Sequence, residues 1–259
     1  SHGGSFMYHF GDNLVSIGFV VHLEYENPYL SPFDEFQRFK THPDVAKYLQ
    51  GGKRLAYGSR AINEGGVQSI PKLTFPGGAL IGCSAGFVNL PRIKGSHNAI
   101  KSGMLAAEAA FEALAAGKTG GDELIAYPVK LKASWIWKDL HKVRNVKPAL
   151  KWGTTLGTLY GGMDMWLHDL GIRVPWTMHH KKADHECLRP AAEFQPIQYP
   201  KPDGVLSFDK LSSVFLSNTN HEEDQPVHLR LLDPSIPIAV NLPLYAEPAQ
   251  RYCPAGVYE

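Results

Sequence analysis

Glycine, cysteine and serine share one short stretch, Gly77-Gly78-Ala79-Leu80-Ile81-Gly82-Cys83-Ser84-Ala85-Gly86, which runs on through Asn89-Leu90-Pro91 to Gly95-Ser96-His97-Asn98. Two chemistries fit those letters. Gly82, Gly86 and Gly95 lack a Cβ, so the backbone can turn sharply there and lie against a flat or phosphorylated ligand. The run from Gly82 to Gly86 also spells G-x-S-x-G, in which Ser84 would be the nucleophile of a serine hydrolase. Such an elbow needs a helix directly after the serine, and Asn89-Leu90-Pro91 keeps the chain extended instead. An ordinary strand-to-helix connection is the plainest alternative.

Thiols and imidazoles add little on spacing alone. Cys83, Cys187 and Cys253 are too few and too scattered for a disulfide framework, which leaves reduced thiols or a metal ligand. His179, His180, His185 and Cys187 bring metal-ligand types together in no standard zinc pattern. With Lys181, Lys182, Asp184 and Glu186 among them they read as a solvated loop.

The elements that must position these residues can be read in four regions. Residues 3–75 look strand-rich, with paired strands over 5–10 and 14–23 joined by a turn at Asp12-Asn13. Ser31-Pro32 then opens a helix, with Asp34 and Glu35 in its first turn, and a second short helix covers 42–49. Glycine pairs at 51–52 and 65–66 mark returns to extended chain.

In the second region, residues 77–117, a short buried strand passes through the glycine loop into a helix. Ser96 or Asn98 caps it, Ile100, Met104, Ala107, Phe111 and Leu114 form its apolar stripe, and Gly117 ends it. Its positive end, facing the loop, suits an electron-rich atom such as the N1/O2 edge of a reduced flavin.

A mixed link with Trp135, Trp137 and Trp152 leads to the third region, residues 153–177. There Leu156, Leu159, Tyr160, Met163, Trp166, Leu167 and Leu170 share one helical face. Asp164, His168 and Asp169 interrupt that stripe too often for a membrane span, so it belongs either in a core or in a membrane surface. From residue 196 onward, prolines and short apolar runs suggest a compact β-rich domain.

With 259 residues and 44% apolar content, the chain can bury one large core or two modest ones. A formal net charge of +1 argues against a nucleic-acid groove or a polybasic membrane patch.

Several longer motifs carry a resemblance. They are Gly3-Gly4-Ser5-Phe6, Asn27-Pro28-Tyr29-Leu30-Ser31-Pro32-Phe33, Gly51-Gly52-Lys53-Arg54, Asn63-Glu64-Gly65-Gly66, the 77–103 segment, Tyr199-Pro200-Lys201-Pro202-Asp203-Gly204 and Cys253-Pro254-Ala255-Gly256-Val257-Tyr258-Glu259. Together they resemble the electron transfer flavoprotein-ubiquinone oxidoreductase family over essentially the whole chain.

The resemblance implies FAD, one [4Fe-4S] cluster and a ubiquinone site, in a protein seated monotopically on a bacterial or mitochondrial inner membrane. Electrons would pass from reduced electron transfer flavoprotein to ubiquinone, with no general acid or base and no nucleic acid. Gly82, Cys83, Gly86, Gly95, Ser96 and Asn98 would face FAD, Cys83 standing where related flavoproteins carry an aspartate. Gly3 and Gly4 would lie beside the quinone headgroup. Cys253 would be the first of four cluster cysteines, with Tyr258 near the cluster, and Leu159, Met163, Trp166 and Leu167 would face the membrane.

The implied fold is α+β: the strand-loop-helix of an FAD domain, an antiparallel-sheet quinone domain and a partial ferredoxin-like cluster domain. The corresponding parts are 1–75 for quinone, 76–125 for FAD, 126–195 for the linker and membrane-surface helix, and 196–259 for the start of the cluster domain. No G-x-G-x-x-G fingerprint is present, and neither is the C-x-x-C-x-x-C run that would complete the cluster ligands. On that ground the chain reads as an internal fragment that starts inside the quinone domain and stops inside the cluster domain. A noncatalytic flavin-binding or membrane-docking module is the alternative, with the Ser84 hydrolase a third reading.

Overall fold

The computed structural model describes residues 3–227 and 229–258. Strands β1 (Gly3–Phe10) and β2 (Leu14–Val21) pair antiparallel in the register Gly3 opposite Val21 through Phe10 opposite Leu14. Gly11 and Asn13 take positive φ in the turn, the conformation the tight reversal requires. The second strand ends two residues before its expected limit. Beyond the hairpin, the segment up to residue 73 is helical and irregular, not strand-rich.

Helix α1 (Pro32–Lys40) starts as its sequence dictates: Ser31 Oγ accepts the Asp34 amide, and Pro32 occupies the first turn. Helix α2 (Pro43–Leu49) follows, with the His42 ring accepting the Asp44 amide. Strands β3 (Thr74–Phe75) and β4 (Gly78–Ala79) form a two-stranded ribbon. The strand expected before the glycine loop is therefore only two residues long and half-buried.

Helix α3 (Ser96–Ala115) corrects two expectations. Gly95 holds the cap position, with no side-chain bond to the first amides, and Ser96 is already helical. Asn98 is fully buried and spends its Nδ2 on Phe87 O at 2.8 Å. The buried face runs through Asn98, Ser102, Leu105 and Ala109, whereas Ile100, Met104, Phe111 and Leu114 are each at least half exposed. Two stripes of similar helical spacing compete on this alanine-rich helix, and the less apolar one won because its small residues admit the loop backbone. Gly117, at φ 78°, ends the helix as expected: its amide bonds Leu114 O and the Lys118 amide bonds Ala113 O.

The tryptophan link proves helical, as α4 (Ala126–Ala133), α5 (Trp135–Lys142) and α6 (Val146–Ala149). Helix α7 (Thr154–Asp169) stops where Gly171 turns to positive φ, so the expected 153–177 element divides into a helix and an irregular strap. Helices α8 (Lys210–Phe215), α9 (Leu242–Tyr245) and α10 (Ala249–Tyr252) are the α-helical elements described after residue 196, and no strand is described there. The β-rich expectation for that region is overturned among the described residues. Prolines at 196, 200, 202, 226, 234, 237, 243, 248 and 254 each remove a ladder donor.

Two compact units emerge, one of residues 1–60 with 182–259 and the other of residues 61–181. The second is centred on Leu73, Ala85, Phe87, Leu105, Ala109, Tyr127, Leu131, Ile136 and Leu140. Tyr127 Oη donates to Leu80 O at 3.0 Å, and burial pushes its phenol up to about 12. In the first unit, Tyr199 Oη accepts the Ser31 amide and donates to Glu35, so the 199–204 turn is tied to the start of α1.

Candidate cofactor and quinone sites

Cys253 follows directly on α10 and is buried, with 7% of its surface exposed. The chain then doubles back through Pro254 and Gly256, the latter at φ 66°. The Val257 amide approaches Sγ at 3.5 Å, and the Ala255 and Gly256 amides also act on the sulfur. Burial alone would raise this thiol's pKa. The three amides and the Lys210 ammonium outweigh it and hold the pKa below the ordinary thiol value. A thiol stabilised as thiolate by convergent amides is a metal-ligand environment and suits iron-sulfur ligation. Tyr57 Oη donates to Pro254 O at 3.2 Å and steadies the same turn. Tyr258 is 42% exposed.

Gly3, Gly4 and Ser5 of β1 line a cleft of about 430 Å³ together with Phe19, Val20 and Val21 of β2, Leu30 and Glu35. The two glycines differ in purpose. A Cβ on Gly3 would lie 2.3 Å from Val20 O, so the hairpin itself needs that glycine, while a Cβ on Gly4 would meet nothing within 4 Å. Gly4 therefore keeps the cleft open without being required by its neighbours.

In the glycine loop, residues Gly82–Ser84 form a single 3-10 turn, and no helix begins until Ser96. The elbow geometry a nucleophilic Ser84 needs is absent, and Ser84 has no side-chain hydrogen bond among the described residues, which removes the structural basis for a hydrolase. Gly82 and Gly86 take positive φ. Cβ atoms there would fall 3.1 Å from Ala99 Cβ and 3.3 Å from the Asn63 side chain, so tight internal packing also uses these glycines. Cys83 is a half-buried free thiol. Ser102 Oγ accepts the Gly82 amide, and Asn98 Oδ1 is buried without a partner. The uncapped start of α3 leaves its first amides open to an outside acceptor.

On α7, Leu159, Met163 and Trp166 are 67%, 50% and 62% exposed, and Leu167 is half-buried. The face turned inward carries Gly157, Gly161 and Asp164. A Cβ on Gly157 would sit 2.6 Å from Ala149 O, so the small residues let α7 lie directly on α6. Asp164 accepts from Asn145 Nδ2 at 3.0 Å. Trp152, Leu156, Leu159, Tyr160 and Met163 line a shallow apolar cleft on the outer face. No helix among the described residues is long and apolar enough to cross a membrane.

His180 bonds Gly65 O at 2.9 Å, and residues Asp184–Cys187 form a 3-10 turn. No cluster of three or more potential metal-ligating His, Cys, Asp or Glu side chains occurs among the described residues.

Sequence reasoning missed Lys210 and Tyr57, which hold the Cys253 turn. Neither lies in a recognisable motif beside the cysteine, so their roles depend on tertiary contact.

Residues 1–62 match a family model described as ETF-QO, ubiquinone-binding, and residues 204–259 match one described as electron transfer flavoprotein-ubiquinone oxidoreductase, 4Fe-4S. The electron transfer flavoprotein-ubiquinone oxidoreductase of Pseudomonas aeruginosa is 60% identical over 99% of the chain and 46% of its own length. The mitochondrial protein of Rattus norvegicus is 58% identical over 100% of the chain and 43% of its length. That of Dictyostelium discoideum is 51% identical over 99% and 44%. The chain thus spans less than half the length of these curated relatives. Over that span it belongs to the electron transfer flavoprotein-ubiquinone oxidoreductase family.

Proposed function

We propose that this chain takes part in passing electrons from reduced electron transfer flavoprotein to ubiquinone at an inner-membrane surface, mitochondrial or bacterial. FAD and a [4Fe-4S] cluster, when bound, supply the redox relay. The protein's own task is to hold those centres, shield them and let the quinone approach. No side chain has to act as an acid, base or nucleophile in this reading.

The carrying observation is Cys253, a buried thiol with three backbone amides converging on its sulfur in a segment that matches the 4Fe-4S family model. It would ligate the cluster, with Tyr258 nearby to tune it. The cleft beside Gly3 and Gly4 supports the quinone assignment, since bare backbone lets a flat ring approach and hydrogen-bond. FAD would lie against Gly82, Cys83, Gly86, Gly95, Ser96 and Asn98. The uncapped α3 amides and the orphaned Asn98 oxygen support that contact. The outward apolar face of α7 supports monotopic seating on lipid. On this reading the parts 1–75, 76–125, 126–195 and 196–259 serve quinone, FAD, membrane and cluster in turn.

Cys253→Ala in the natural holoprotein tests the assignment. The variant is expected to lose its iron and its iron-sulfur EPR signal while retaining most of its flavin absorbance. Unchanged iron content would refute Cys253 as a ligand.

A further inference from the structure

Lys210 opens α8, far from Cys253 in sequence, yet its Nζ donates to Cys253 O at 2.9 Å and to Gln250 O at 3.4 Å. Those carbonyls belong to α10 and to the cysteine that follows it, so one ammonium ties the helix to the start of the turn. The same Nζ lies 5.8 Å from the centre of the Phe33 ring, a cation over an aromatic face. Its methylene stem passes beneath the turn, with Lys210 Cδ 3.3 Å from where a Gly256 Cβ would stand. Glycine at 256 therefore admits the lysine stem as well as the positive φ. Asp209, the neighbouring carboxylate, is engaged elsewhere, capping α8 through the Ser212 amide and hydroxyl. No carboxylate ion pair to Lys210 is described, so its charge is directed at the cysteine turn.

We infer that Lys210 is a positioning residue for the cluster: it holds the start of the Cys253–Val257 turn through the Cys253 carbonyl, with a longer second bond to Gln250 O in α10, and places a fixed positive charge beside the cluster ligand. This rests on the proposed ligation by Cys253. A nearby cation stabilises the more negative, reduced state of a thiolate-bound cluster and so raises its potential. Electrons would consequently rest on the cluster more readily than they would without it.

The test is a redox titration of the holoprotein, followed by EPR, for wild type, Lys210→Gln and Lys210→Arg. Lys210→Gln is expected to keep its iron and to shift the reduction equilibrium about tenfold toward the oxidised cluster, ~59 mV for a one-electron couple. Lys210→Arg, which restores the charge, should return the midpoint close to wild type. A Lys210→Gln midpoint equal to wild type, with iron retained, overturns the inference and leaves the ligation reading intact. If Lys210→Gln fails to hold iron, Lys210→Arg decides: iron held at the wild-type midpoint supports the charged tether, and loss of iron there too overturns it. Absence of an iron-sulfur signal from the wild-type protein would instead sink the ligation reading itself.

Discussion

Gly3 and Gly4 are neighbours on one strand, and what a side chain would meet at each separates folding from function. At Gly3 any Cβ would collide with the Val20 carbonyl, so Gly3→Val should damage the hairpin and lower stability. At Gly4 the space is open and the backbone is ordinary extended strand, so a valine is tolerated by the fold but fills the cleft. Gly4→Val should slow ubiquinone reduction by roughly tenfold, about 1.4 kcal/mol of barrier, while electron uptake from the flavoprotein stays near wild type. Stopped-flow measurement of the two half-reactions checks this. Equal losses in both would point to misfolding and against a quinone site at Gly4. Sequence alone made the pair look equivalent, because two adjacent glycines carry no sign of which one the partner strand has claimed.

At the scale of elements, α3 and α7 teach the same lesson with different outcomes. Each has the periodicity of an amphipathic helix, and in each the more apolar stripe faces outward while, Leu105 of α3 apart, small or polar residues face inward. The inward choice follows from close approach: α7 can rest on α6 only through Gly157 and Gly161. The exposed stripe of α7 gives a direct membrane test. Met163→Glu and Trp166→Glu add carboxylates at positions already half open to solvent, so the fold should lose little. If that face lies in lipid, the paired variant should keep its flavin yet shift from vesicle-bound to free in a flotation assay, because charges in the interface oppose insertion. Loss of flavin and aggregation would show that the stripe is needed for packing instead. Leu167 does not serve this test, being half-buried.

For the whole molecule, stability against pH exposes a cost carried in the first unit. Lys40 is 7% exposed and lies 4.9 Å from the centre of the Phe208 ring, whose face Arg54 also covers at 4.1 Å. Burial lowers the Lys40 pKa to about 8 and Arg54 adds to this, with Asp203 opposing. Because the folded pKa is depressed, the native state binds fewer protons than the unfolded chain between about 8 and 10.5. The lysine's favourable contribution is thus present above the unfolded value and is lost as pH falls through about 8. Lys40→Met, which keeps the stem and removes the charge, should be more stable than wild type at neutral pH. Its advantage should shrink as pH rises from 8 toward 10.5 in chemical denaturation curves, and a pH-independent difference would contradict the assignment. The sequence by itself determined the hairpin, the Ser31 and Pro32 helix start, the Gly117 stop and the family, since each rests on local chemistry or on motifs read in order. Only tertiary structure decided which helical stripe is buried, that the proline-rich region from residue 196 is helical and irregular, and that Lys210 reaches Cys253. Those outcomes depend on which surfaces meet across long sequence separations, and periodicity cannot encode that.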